Sequence, residues 1–139
     1  MADGTLKFPA TIQEFERAAH TLRRTLDAHG VRDKGRYNVE LVFDEIVSNI
    51  IRHGRVDERT CAIEVSLAFE AEAVVLEFSD NGRAFDPRSH PVPALPESLE
   101  EAPIGGLGLM LVRNAAERIE YERTAQQLNR VTITVPTRR

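Results

Sequence analysis

Two consecutive stretches of alternating apolar and polar residues constrain the fold of this chain more than any other feature of its sequence. Apolar side chains occupy every second position from Cys61 to Phe69, and the alternation returns in Val74, Leu76 and Phe78 after a short turn. Successive side chains of a strand point to opposite faces, so this pattern predicts a β-hairpin with one buried face. Half-buried strands imply a sheet that is covered by helices on one side.

Helical patterns lie on both sides of this hairpin. Thr11 can cap a first helix, with a glutamate three residues on as in a capping box, and the pattern ends near Gly30. A second helix with one apolar face is expected from about residue 32 or 34 to His53. A third is expected from Leu107 to Glu117.

Three further strands complete the predicted sheet. They are expected at Thr5–Phe8, where the following proline suits an opening or edge strand, at Arg118–Arg123 and at Val131–Val135. The 139 residues are enough for one domain and hardly for two, so we expect a single domain over residues 1–139. The predicted fold is a two-layer α/β sandwich, in which a mixed, mostly antiparallel sheet carries three helices on one face.

Charge and cysteine content exclude several functional classes. The formal net charge is −4 and the arginines are scattered, which argues against direct binding of nucleic acid. The only cysteine, Cys61, cannot form an internal disulfide and belongs to no zinc-binding spacing, which fits a reducing compartment. No apolar run approaches the length that crosses a bilayer. We therefore expect a cytoplasmic protein without a membrane segment.

The second helix carries a polar stripe. Glu45, Ser48, Asn49 and Arg52 fall on one side at helical spacing. Such a stripe is often only a solvated helix face. The alternative is a carboxylate and an amide that look into a cavity, where the amide oxygen can bind Mg²⁺ and the carboxylate can take a proton from a nucleophile.

Two glycine-containing segments follow. Asp80 and Gly82 stand directly after the second hairpin strand, where such residues often form only a turn. The alternative is a nucleotide site, in which the Asp80 carboxylate accepts a hydrogen bond from the adenine amine and Gly82 lets the flat ring approach the backbone. The second segment, Gly105-Gly106-Leu107-Gly108-Leu109, opens the third helix and is either a hinge or an anion site made of backbone amides. It is neither a Walker P-loop nor a Rossmann fingerprint.

Between these segments the chain loses all periodicity. Five of the seven prolines fall between Gly82 and Gly105. Irregular stretches of this length inside a small domain are often functional, so residues 83–104 are predicted to form a lid over a bound ligand.

The order of these motifs resembles the GHKL ATPase superfamily, which includes the histidine kinases. Within it the chain is most similar to the stand-alone anti-sigma-factor serine kinases. Residues 45–53 correspond to the N box, residues 80–87 to the first glycine box and residues 105–109 to the second. The resemblance extends from the first helix to the last strand.

The resemblance implies a role for each motif residue. Asn49 would bind Mg²⁺ that bridges the phosphates, Glu45 would be the general base, and Arg52 would lie near the phosphates. Asp80 would hold the adenine amine, with Gly82 beside the ring. The backbone amides of the second glycine box would face the phosphates, which adds Gly105, Gly106, Leu107 and Gly108 to the ATP site.

The function implied is a Mg-ATP-dependent serine/threonine protein kinase that sequesters a sigma factor and phosphorylates a serine of an antagonist protein. An ATP-gated binding module with little turnover remains an alternative, as does the same kinase core acting on an unrelated partner. The sequence leaves the oligomeric state open, a homodimer included.

Overall fold

The alternating stretches of the sequence form the centre of one antiparallel sheet. The computed structural model describes residues 3–53, 61–89 and 106–137. Within these residues the chain forms five strands and three helices, in the order β1 (Gly4–Pro9), α1 (Ile12–Ala28), α2 (Asp33–His53), β2 (Ala62–Phe69), β3 (Ala73–Asp80), α3 (Gly106–Ala115), β4 (Arg118–Arg123) and β5 (Asn129–Pro136).

The strand order across the sheet is β1-β2-β3-β5-β4. Every strand pair in the described residues is antiparallel, so the expected sheet of mostly antiparallel strands is confirmed without a parallel pair. The last strand in the chain therefore lies inside the sheet, against β3. Its register pairs Asn129 with Asp80, so the first residue of β5 lies opposite the last residue of β3.

The buried face of the sheet packs against the helices through an aromatic centre. Phe43 of α2 is fully buried, and its ring lies 6.0 Å from Phe15 of α1 and 6.4 Å from both Phe8 of β1 and Phe78 of β3. Removing one such side chain from water stabilises the fold by about 1.5–3 kcal/mol. These contacts hold α1 and α2 on the same face of the sheet, as the half-buried strands predicted.

The predicted Thr11 cap and the predicted end of α1 near Gly30 are confirmed, whereas the capping box is not completed, because the backbone N–H of Thr11 donates to the carbonyl of Pro9. The Thr11 hydroxyl accepts a hydrogen bond from the backbone N–H of Glu14 at 3.3 Å, which caps the first turn. The helix ends at Ala28, and Gly30 follows with a φ of 69°, a left-handed conformation that glycine adopts without strain.

Several element boundaries differ from the predictions by one or two residues, and Asp80, predicted to follow the second hairpin strand, is its last residue. Two of the differences have a clear physical reason. The third helix ends at Ala115 rather than at Glu117, because the backbone N–H of Glu117 donates to the carbonyl of Thr134 and joins the chain to the sheet. The last strand begins at Asn129 rather than at Val131, because it pairs with the full length of β3. Tertiary pairing decided both ends.

The second helix connects the layers. It contacts β3, β5 and α3. Among the helices that the structure describes, none is both long and apolar enough to cross a membrane.

Candidate functional site

The site is built around Asp80, the last residue of β3. Its side chain is buried with an exposed fraction of 5%. Oδ1 accepts hydrogen bonds from the backbone N–H of Gly82 at 2.9 Å and from Nδ2 of Asn129 at 3.1 Å, whereas Oδ2 accepts neither of these bonds. Burial raises the pKa of Asp80, and the two hydrogen bonds and the positive charge of Arg123 offset part of that rise.

Asn49 supplies a second buried polar group, on α2. Only 3% of the residue is exposed, and its Oδ1 accepts a hydrogen bond from Nη2 of Arg52 at 3.1 Å. Arginine only donates, so this bond fixes the amide with its oxygen toward Arg52. Nδ2 is buried and has no hydrogen-bond partner among the described residues. A buried donor without an acceptor is costly, which marks this amide as a group for a ligand or a water molecule.

One cavity joins these two side chains. It contains about 350 Å³ of empty space, part of which is open to solvent. The residues that line it come from α2, from the end of β3 and the loop after it, and from β5: Ile46, Asn49, Ile50, His53, Asp80, Arg83, Phe85, Pro87, Asn129 and Val131. A largely apolar cavity that is lined by a hydrogen-bond acceptor, Asp80, suits a flat heterocycle that carries an amine.

A stacked pair of rings forms part of the cavity wall. His53, in the last turn of α2, lies 5.6 Å from Phe85 with an angle of 15° between the ring planes. The pair connects the helix to the loop that follows β3.

Hydrogen bonds also hold that loop in place. Asp86 accepts from the guanidinium of Arg88, which lowers the pKa of the Asp86 carboxyl. Nη2 of Arg113 on α3 donates to the carbonyls of Pro87 at 2.7 Å and of Arg88 at 3.1 Å. Residues 83–89, the first part of the predicted lid, are thus tied to α3. Residues 90–104 of that lid lie outside the described residues.

Glu45 lies against the first turn of α3 rather than in the cavity. A Cβ placed on Gly108 would be 2.7 Å from Cδ of Glu45 and in closer conflict with its Oε2. Only glycine leaves room for this carboxylate beside the helix. The structure therefore brings together the predicted base and the second glycine box.

The other predicted residues lie around these two centres. The backbone N–H of Gly82 donates a hydrogen bond to Asp80, and the guanidinium of Arg52 donates one to Asn49. Gly106 and Leu107 lie in the first turn of α3, whereas Gly105 falls outside the described residues. Asn129, which was not predicted as a site residue, is 3% exposed and donates a hydrogen bond to Asp80. Only the strand register could have indicated it, because the two residues are far apart in the chain.

The donor set suits a magnesium ion that is held mainly by phosphates and water. The described residues contain no cluster of three or more histidine, cysteine, aspartate or glutamate side chains that could hold a metal ion by themselves. Mg²⁺ in nucleotide sites often takes one or two protein oxygens together with phosphate oxygens. The Asn49 amide fits this pattern, because its oxygen can bind the ion while its unpaired Nδ2 donates to a phosphate or water oxygen.

Residues 8–135 match the histidine kinase-like ATPase domain. The chain belongs to this family. Membership implies ATP binding, and it agrees with a cavity that ends in a buried carboxylate.

Individual relatives narrow the comparison. The chain is similar to the serine/threonine-protein kinase BtrW of Bordetella bronchiseptica, with 35% identity over 88 residues. That match covers 63% of this chain and 62% of BtrW, so it spans less than two thirds of the relative.

Solved structures show the same fold. The RsbU and RsbW domains of a protein from Mycobacterium tuberculosis superpose with a TM-score of 0.63 at 16% identity, over 98% of this chain and 33% of that one. The catalytic domain of the histidine kinase ThkA gives a TM-score of 0.50 at 17% identity, over 97% of this chain and 98% of that one. At these identities the likeness concerns the fold alone.

Proposed function

We propose that this protein is a Mg-ATP-dependent serine/threonine protein kinase of the anti-sigma-factor type, formed by a single domain over residues 1–139. The observation that carries the proposal is the cavity that both Asn49 and Asp80 line, which combines a buried amide with a buried carboxylate. The similarity to BtrW, which is named a serine/threonine-protein kinase, supports the reaction type.

Adenine occupies the apolar part of the cavity in this proposal. Oδ2 of Asp80 accepts from the exocyclic amine of the base, and guanine, with a carbonyl at that position, is rejected. Ile46, Ile50 and Val131 supply apolar walls on which a flat ring can lie. Gly82 holds Asp80 through its backbone amide.

The phosphates extend toward α3. Asn49 holds Mg²⁺ through Oδ1, and Arg52 adds positive charge beside it. The first turn of α3, with the backbone amides of Gly106, Leu107 and Gly108, faces the negative charge at the positive end of the helix dipole. Charge on the phosphate oxygens would be neutralised by the Mg²⁺ that Asn49 would hold.

The transfer step uses Glu45 as the base. The oxygen of a serine hydroxyl forms a bond to the γ-phosphorus, the bond from that phosphorus to the β–γ bridging oxygen breaks, and ADP leaves. The hydroxyl proton passes to the Glu45 carboxylate. Its place beside Gly108 at the start of α3 supports this role, because α3 is also where the phosphates are expected.

The phosphoacceptor is a serine of an anti-sigma-factor antagonist, and a sigma factor is the second partner. The resemblance of the three motifs to the anti-sigma-factor serine kinases is what supports this assignment. A cytoplasmic location and the absence of direct contact with nucleic acid remain predictions from the sequence, which leaves the oligomeric state open, a homodimer included.

The experiment is transfer of label from γ-labelled ATP to the cognate antagonist, with the parent protein and the Glu45→Ala variant compared. The proposal expects a labelled serine with the parent and none with the variant, while both bind ATP. If ATP changes the affinity for the partner but no phosphate reaches a serine, the protein is an ATP-gated binding module and the kinase assignment is wrong.

A further inference from the structure

The side-chain amide of Asn129 makes four hydrogen bonds. Its Oδ1 accepts from Tyr121 Oη at 2.7 Å and from the backbone N–H of Phe85 at 3.3 Å. Its Nδ2 donates to the carbonyl of Arg83 at 2.7 Å and to Oδ1 of Asp80 at 3.1 Å. One buried amide therefore joins the ends of β3 and β5, the loop after β3, and β4.

These partners allow only one orientation of the amide. The N–H of Phe85 can only donate and the carbonyl of Arg83 can only accept, so a flipped amide would face like groups on both sides. Nδ2 must therefore point at Asp80. Oδ1 of Asp80 then receives two donors, from Asn129 and from the N–H of Gly82, and cannot carry a proton itself.

We propose that Asn129 strengthens the preference for adenine over guanine, because its fixed amide donates to Oδ1 of Asp80 and favours the carboxylate form, which accepts hydrogen bonds. This inference rests on the proposed function, in which Asp80 faces the base. The two donors on Oδ1 favour the ionised form of the carboxylate, and this form offers Oδ2 to an amine. A protonated Asp80 would instead donate from Oδ2, and that would suit the guanine carbonyl.

The charged groups around Asp80 show why a hydrogen bond from the neutral Asn129 amide matters for its carboxylate. Burial favours the protonated form of Asp80, and the positive charge of Arg123 on β4 favours the ionised form. Arg123 donates to the carbonyl of Gly82 and is exposed, so solvent screens its charge. Arg83 and His53 also line the cavity. Asn129 is the side chain that donates directly to the Asp80 carboxylate.

The test measures the dissociation constants of ATP and GTP with Mg²⁺ by calorimetry on the full chain. Asn129→Asp replaces the donor with an oxygen, so a proton is then shared between two carboxyls and Asp80 loses its fixed polarity. We expect the preference for ATP over GTP to fall by about tenfold or more, which corresponds to one lost hydrogen bond to a charged group.

Tyr121→Phe is the matched control. It removes one donor to Oδ1 of Asn129 but leaves Nδ2 on Asp80. Both nucleotides should bind somewhat more weakly, and their ratio should stay within about threefold of the parent value. Asn129→Ala serves as a second test variant, with the fold of each variant checked by circular dichroism. Its ratio should also fall, and should fall further as the pH is lowered.

The outcomes separate this inference from the proposed function. If folded Asn129 variants keep the parent ratio while Asp80→Asn loses it, the inference is wrong and the adenine site stands. If the parent does not prefer ATP to GTP, both are wrong. A loss of preference in the Asn129 variants, with preference retained in Tyr121→Phe, is the result that supports Asn129 as the specificity residue.

Discussion

The replacement Gly108→Ala tests how the proposed base is positioned. A Cβ at this position would lie 2.7 Å from Cδ of Glu45 and 3.5 Å from its Cγ, and atoms closer than about 3 Å must shift. The conflicting group is the flexible end of a side chain. We therefore expect Glu45 to rotate away from α3 while the helix keeps its place.

The size of the effect follows from two opposing terms. Alanine is favoured over glycine in a helix by about 0.5–1 kcal/mol. Extra volume in occupied space costs about 1–3 kcal/mol, and a side chain that can rotate places the cost near the lower end. Gly108→Ala should therefore destabilise the parent by about 0–1.5 kcal/mol but stabilise the Glu45→Ala variant by about 0.5–1 kcal/mol. The coupling energy between the two positions is then about 1–2 kcal/mol.

The assay is urea unfolding of the parent, the two single variants and the double variant, together with phosphoryl transfer to the antagonist. Glu45→Gln adds a control for charge, because Gly108→Ala should conflict with this side chain as it does with the parent glutamate. Phosphoryl transfer by Gly108→Ala should fall by about tenfold or more, since a displaced base loses much of its usual contribution. Equal free-energy changes for Gly108→Ala in the parent and in the Glu45→Ala variant, or unchanged transfer, would refute the reasoning.

Three further predictions address the site and the core. Glu45→Ala should reduce the rate of phosphoryl transfer by about 10²–10⁴-fold and leave ATP affinity nearly unchanged. Asn49→Ala should instead weaken Mg-dependent ATP binding, as measured by calorimetry. Equal losses of ATP affinity in the two variants would contradict this division of roles. Desolvation, and to a smaller extent the negative charges of acidic neighbours, raises the pKa of Asp44 to about 6. The Asp44 carboxyl therefore holds its proton more tightly in the folded state than in the unfolded state. The free energy of unfolding should decrease as the pH rises from about 4 through about 6. Asp44→Asn should therefore match the parent Tm near pH 4 and exceed it near pH 7, by a small margin because the residue is exposed; a margin that does not grow with pH would count against the assignment. Phe43→Ala should lower the free energy of unfolding by about 3–5 kcal/mol in denaturant titrations, because Phe43 is fully buried. The control, Ile12→Ala at an exposed position, should lower it by less than about 0.5 kcal/mol. Similar losses in both variants would contradict the central role of Phe43 in the core.

Periodicity in the sequence predicted the elements well, because period 2 and period 3.6 are local properties. The hairpin of β2 and β3, the cap at Thr11 and the helix that ends at His53 all follow from residues within a few positions of one another. The errors occur where a distant strand takes part. The helix that ends at Ala115 and the strand that begins at Asn129 both reflect pairing with residues far away in the chain.

Some residues of the candidate site were predictable from the sequence, and others depend on distant contacts. Asn49 and Asp80 were predicted from their residue types and from the resemblance, and the structure brings both to one cavity. Asn129 was not predicted, because an asparagine after a turn carries no local sign of a partner in β3. The contact of Glu45 with Gly108 was not predicted either, since it depends on how α3 packs against α2.

The sequence by itself determined the elements, the single apolar face of the sheet and the order of the three motifs, because each depends on spacing along the chain. Only the tertiary structure decided that the last strand lies between β3 and β4, since strand order depends on which buried faces fit together. That position puts the Asn129 amide against the Asp80 carboxylate. The polarity of the site therefore comes from packing, and no local pattern in the sequence encodes it.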